Sequence, residues 1–157
     1  AISESLSLDQ DDKTRGGVSV LNIDSIRTIS NNGGVKKVFQ PHDDITVETR
    51  VRINGDIDDA SIILKIGPKG GAPIINVSTR MLGVDISGKK GEILSLDWKM
   101  KNILNNGSYA VSLQTMASDR VTVIDDLVEG SIFEVVGWKY PYSVIHPDVK
   151  VVLGAKK

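Results

Sequence analysis

The stretch Asp44-Ile45-Thr46-Val47-Glu48-Thr49-Arg50-Val51-Arg52-Ile53 decides the fold class. Ile45, Val47, Thr49, Val51 and Ile53 occupy every second position, with Thr46, Glu48, Arg50 and Arg52 between them. Successive side chains of a strand point to opposite faces, so the stretch has one apolar and one polar face; a helix would scatter the same residues around its axis. Most of the apolar positions are β-branched, stiff at χ1 and well suited to a pleated surface. The pattern predicts a half-buried strand.

The same spacing recurs on both sides of it. Residues 18–29 are strand-like and run into the turn cluster Ser30-Asn31-Asn32-Gly33-Gly34, whose residues tolerate positive φ. Residues 60–66 put Ile62, Leu64 and Ile66 on one face, Gly67-Pro68-Lys69-Gly70-Gly71 breaks the ladder, and residues 72–80 return with Ile75, Val77 and Thr79 together. Residues 92–100 align Leu94, Leu96, Trp98 and Met100; after the turn Asn105-Asn106-Gly107, residues 107–116 align Tyr109, Val111, Leu113 and Thr115. Residues 120–124 and 131–136 read as two further strands, the second with Phe133 and Val135 inward. No stretch has a helical period. About eight or nine short strands punctuated by Gly, Asn and Asp turns predict an all-β, immunoglobulin-like antiparallel sandwich of two sheets.

Three segments follow: a polar, acidic linker over 1–15, the sandwich over 16–137, and a connector with an apolar terminal strand over 138–157. At 157 residues the chain is long enough for one self-sufficient core. A net charge of -1 creates no field that would draw nucleic acid or an anionic membrane. The absence of cysteine removes disulfides and thiolate metal sites and fits a reducing compartment. The N-terminal residues lack the apolar core of a signal peptide, and the chain starts without Met, which reads as a piece of a longer protein.

Side-chain catalysis needs a nucleophile, base or metal held together, and only His42 and His146 are available beside the carboxylates; both sit next to a proline and read as surface residues. Asp11-Asp12, Asp43-Asp44, Asp58-Asp59 and Asp125-Asp126 read as turn residues, since neighbours on a strand face opposite ways and form no dyad. Gly83-Val84-Asp85-Ile86-Ser87-Gly88-Lys89 has the spacing of a phosphate-binding loop but continues with Lys90 in place of Ser or Thr and leads into no helical pattern. The sequons at Asn76 and Asn106 read as incidental. No cofactor and no catalytic residue is expected.

Residues 16–137 resemble the C-terminal domain of Wzt, the ATP-binding subunit of bacterial transporters that export O-antigen polysaccharide. The likeness is carried by the opening GGVSVLNIDSI, the block VFQPHDDITVETRVRI, the hairpin APIINVSTR, the Gly-x-Tyr strand in LNNGSYAVSL and the closing Phe-x-Val strand in SIFEVVG. It implies a cytoplasmic, non-catalytic module behind a nucleotide-binding domain of the same chain and beside a transmembrane transporter subunit. Such a module recognises the non-reducing end of the finished glycan. It also implies a homodimer in which the C-terminal strand is exchanged.

An immunoglobulin-like strand order would place residues 60–66, 72–80, 107–116 and 131–136 in one sheet. Its outward side chains are then Lys65, Asn76, Ser78, Arg80, Ser112, Gln114 and Glu134, of which the first six form the expected carbohydrate-binding face. Lys65 and Arg80 would suit an anionic cap on the glycan. Trp98 and Tyr109 point inward by parity. Trp138, Tyr140 and Tyr142, with Val149, Val151 and Leu153 of the terminal apolar strand, are assigned to a dimer seam, because such a strand needs a sheet edge. A competing reading is an immunoglobulin-like adhesion or protein-interaction module that uses sheet edges or the loop 67–71.

Overall fold

The computed structural model describes residues 19–154, which form nine strands: β1 (Leu21–Ile29), β2 (Val38–Phe39), β3 (Asp44–Ile53), β4 (Ile57–Pro68), β5 (Ile75–Ser78), β6 (Ile86–Gly88), β7 (Ile93–Lys101), β8 (Gly107–Met116) and β9 (Val123–Val135). One sheet has the order β1-β3-β7; the other has β2-β9-β8-β4-β5, with β6 paired to the start of β4. All pairs are antiparallel except β2 with β9. The expected linker 1–15 and the start of the first strand lie outside the described residues.

The alternating faces set the register. In β3, Ile45, Val47, Thr49, Val51 and Ile53 are buried, and across the interface Ile62, Leu64, Ile66, Val111, Leu113, Phe133 and Val135 close the core. Burying each such aliphatic contributes about 1.5–3 kcal/mol. Phe133 meets Phe39 edge-on at 5.5 Å and stacks on Tyr109 at 5.6 Å. Trp98 and Tyr109 are inward, as parity requires. Their polar tips find partners: Trp98 Nε1 donates to Thr49 Oγ1 at 3.0 Å and Tyr109 Oη to the Asn105 carbonyl at 2.6 Å.

Three expectations need correction. Residues 120–124 and 131–136 are not two strands: β9 runs unbroken from Val123 to Val135, because the residues between them bulge without leaving β8. Asp125-Asp126 is therefore mid-strand. Asp125 is buried and accepts from the Ile23 N–H at 2.7 Å, whereas Asp126 faces outward. Asp58-Asp59 likewise lies inside β4. Within one chain, residues 144–153 form no strand and pair with the body through the Leu104–Ile145 bridge. The phosphate-loop spacing at 83–89 falls on a turn and β6, with no helix after it.

Candidate functional site

The four strands expected in one sheet are neighbours in the order β9-β8-β4-β5. Cross-strand pairs assemble the polar residues in two rows. Asn76, Lys65 and Ser112 stand side by side, and Ser78, Ile63, Gln114 and Asp126 form the next row. Lys65, Ser112, Gln114, Asn76 and Ser78 thus share one face, with Glu134 on the same sheet nearer its end. Arg80 does not join them. β5 ends at Ser78, Ser78 Oγ accepts from the Met81 N–H at 3.1 Å, and the turn carries Arg80 to Asp59, which it binds through Nη1 at 3.1 Å and through Nη2 to the carbonyl at 3.0 Å.

The face is not flat. Between Lys65 and Ser112 on the strands, Pro68, Gly71 and Pro73 on the β4–β5 connection, and Asp126, Val128 and Glu129 on β9 lies a depression of about 210 Å³. Two local features shape it. On one rim, Gly67 lets the hairpin fold tightly: a side chain there would meet the Ala72 carbonyl at 2.4 Å. On the other rim β9 bulges. Val111 pairs with Ser131 and Leu113 with Leu127, so two steps along β8 answer four along β9. Glu129 takes a φ of 51° there and its N–H donates to Ser112 Oγ at 2.8 Å. The bulge turns Val128 and Glu129 toward the depression. Sequence parity missed Asp126 and Glu129 because it assumed a turn where the strand bulges; the Glu129-Gly130 pair was the available signal.

A second concavity lies at the side of the sandwich. Edge strands β5 and β7 leave a groove of about 330 Å³ lined by Ile75, Val77, Leu82, Leu96, Met100 and Ile103, among others. Its wall is largely apolar, with Trp98 among the aliphatic residues and Asp97, Lys99 and Lys101 also on its lining.

The C-terminal connector is pinned rather than detached. The Asn105-Asn106 turn holds it: Asn106 exchanges hydrogen bonds with Trp138 at 3.0 and 3.1 Å, and Asn105 donates to the Pro141 carbonyl at 3.3 Å. Trp138 Nε1 donates to the Leu104 carbonyl at 2.7 Å, His146 stacks on the indole at 3.9 Å, and His42 meets it edge-on at 5.2 Å. Both histidines thus serve packing around one tryptophan. Tyr140 and Tyr142 are exposed, and Val149, Val151, Val152 and Leu153 are between 76% and 94% exposed, which leaves the end of the chain without cover.

The Wzt C-terminal domain family model matches residues 12–145. Among solved structures, the fold is similar to one described as the crystal structure of the C-terminal domain of Wzt, with a TM-score of 0.77 and 15% identity over 87% of this chain and 86% of that one. A putative β-galactosidase from Bacteroides fragilis shares 18% identity over 69% of this chain and 17% of its own length, with a TM-score of 0.46, too low to bear on the fold. No curated protein sequence matches significantly. Over residues 12–145, most of its length, the chain belongs to the Wzt C-terminal domain family.

Proposed function

We propose that the domain is a non-catalytic carbohydrate-binding module that reads the non-reducing end of an O-antigen polysaccharide for an ABC exporter. The observation that carries the reading is the polar depression on the β9-β8-β4-β5 face of a Wzt-type sandwich. Hydroxyl, amide, ammonium and carboxylate groups stand there on strands held in register, which is what a ligand rich in donors and acceptors requires. On this reading Lys65, Ser112 and Gln114 line or border the sugar, with Asn76 and Ser78 at the β5 edge. Arg80, held by Asp59, supports the β5–β6 turn instead. The module would work at the cytoplasmic face of the inner membrane, with a nucleotide-binding domain of the same chain and a transmembrane subunit as partners. Among the described residues no helix is long and apolar enough to cross a membrane.

Titrating the labelled domain with the matching capped glycan tests the site. Amide shifts are expected at 65, 112, 114 and 126; binding with shifts confined to loops at the opposite end would reject it. A protein-interaction module would instead bind no glycan.

The domain would act as a homodimer through its C-terminal segment. Continuing the antiparallel register of the Leu104–Ile145 bridge sets Val149 opposite Met100, Val151 opposite Trp98 and Leu153 opposite Leu96. Those partners line the β5–β7 groove. Asp148 would meet Lys101, while Lys150 would face Lys99 with Asp97 diagonal to it. Pro147 falls where its missing N–H points away from the ladder, as on an edge strand. An exchanged segment from a second copy would thereby cover both the groove and the exposed valines, with Tyr140 and Tyr142 beside the seam and Trp138 anchoring the connector. Two sites per dimer raise apparent affinity for a long glycan. Val151→Asp is expected to convert the dimer to monomer in sedimentation analysis; an unchanged dimer rejects this seam.

A further inference from the structure

The charges that line the depression indicate what kind of sugar it accepts, an inference that rests on the carbohydrate reading above. One cation, Lys65, stands against two carboxylates, Asp126 and Glu129. None of the three makes an ion pair among the described residues, whereas Arg27, Lys36, Arg52, Arg80 and Lys101 all do. Arg80, the second cation the face was expected to carry, is held by Asp59 at a different place in the fold. Ser112 Oγ already accepts from Glu129 N–H, which leaves its hydroxyl hydrogen to donate. The Asp126 N–H is committed to Asp125 Oδ1 at 2.9 Å, but the Asp126 carboxylate is not held by that bond. The acceptors therefore outweigh the fixed charge that could receive an anion.

An acidic sugar or a phosphate cap seated here would gain Lys65 and face two carboxylates lining the same depression. Lys65 and Asp126 are half-buried and Glu129 is exposed, so an anion there meets two like charges for the one cation it gains, and the balance is repulsive. A sugar that presents donors meets the opposite situation. Hydroxyl pairs or a protonated amine can donate to Asp126 and Glu129 by charge-assisted bonds, while Lys65 and the Ser112 hydroxyl donate to ring or acyl oxygens.

We infer that the depression between Lys65, Ser112, Asp126 and Glu129 takes a terminal sugar without an acidic group, and prefers one that carries a protonated amino group. Val128, Pro68 and Pro73 provide apolar rims on which the carbon face of the ring rests.

Three ring-matched probes test this: glucosamine, methyl glucoside and glucuronate, each titrated into the isotope-labelled protein at one pH and ionic strength. Shifts at 65, 112, 126 and 129 are expected to order glucosamine first, the neutral glucoside next and glucuronate at least about tenfold weaker. Asp126→Asn with Glu129→Gln, which leaves the strand backbone in place, is expected to erase the preference for glucosamine, and Lys65→Met to leave it intact. Strongest binding by glucuronate, dependent on Lys65, would overturn the charge inference while leaving the carbohydrate reading standing. A face that none of the three probes perturbs would overturn both, and glucosamine shifts that survive the double carboxamide variant would overturn the assignment of Asp126 and Glu129.

Discussion

The two long sides of this sandwich are built from the same alternating strands and reach opposite states. On one side β1 packs against β9, and the seam is sealed. The Asp125 carboxylate crosses between the sheets to the Ile23 N–H, and Gly130 lets the strands approach, since a side chain there would lie 2.9 Å from Ile26 Cδ1. On the other side β5, only four residues long, stands across from the nine-residue β7. Leu94, Leu96 and Met100 stay half-buried although they alternate as cleanly as any core residue, and the largely apolar groove opens between Leu96 and Met100 on one side and Ile75 and Val77 on the other. Alternation decides which way a side chain points. Burial also requires something opposite, and only the β1–β9 side has it within one chain.

The contrast can be broken most directly at its sealed seam. Replacing Asp125 by Ala removes the carboxylate that accepts from the Ile23 N–H and is expected to cost about 3 kcal/mol in denaturant unfolding; a loss below about 1 kcal/mol would mean the seam does not depend on that bond. A paired truncation sharpens the comparison. Leu113→Ala, fully buried, is expected to cost about 3 kcal/mol, while Leu96→Ala on the open side should cost about 1 kcal/mol in the isolated monomer. Equal costs would show that the groove is covered in solution.

The smallest effect concerns Asp43, at the corner that joins β2 in one sheet to β3 in the other. The Gln40 N–H donates to its carboxylate at 2.8 Å, and Lys36 lies at 3.2 Å; the backbone bond is the larger cause holding its pKa below the usual aspartate value, opposed by partial burial. A carboxyl depressed in the folded state stabilises above its unfolded pKa, and the contribution is lost as pH falls through the folded value. An NMR titration of Asp43 should therefore have its midpoint below the ordinary aspartate range, and Asp43→Asn should flatten the acid limb of the stability curve slightly. A normal midpoint would contradict the corner geometry.

Much of the sheet was legible because strand faces are a local property. The inward positions of Ile62, Leu64, Ile66, Val111 and Leu113, and the inward Trp98 and Tyr109, followed from parity alone. The outward positions of Lys65, Asn76, Ser112 and Gln114 followed from the same count. What parity could not reach were the breaks in it. Arg80 is two positions beyond Ser78 and should share its face, but the strand stops and the turn hands the guanidinium to Asp59. Asp126 and Glu129 were hidden by a bulge, which a period of two residues cannot anticipate. The tail residues Val149, Val151 and Leu153 alternate as a strand does, yet beyond the bridge at Ile145 they join no strand among the described residues.

By itself the sequence determined that this is an all-β sandwich, which residues face its core, and that it bears the marks of the Wzt C-terminal domain family. The fold class and the inward faces depend on a two-residue period and on short turns, both written over neighbouring positions, and the family likeness on the order of the quoted segments. Only the tertiary structure decided that Asp126 and Glu129 join Lys65 in one depression, that Arg80 does not, and that one side of the sandwich stays open. Those outcomes depend on how far each strand pairs and where a bulge is pinned by Ser112, contacts between residues distant in the chain that no local pattern records.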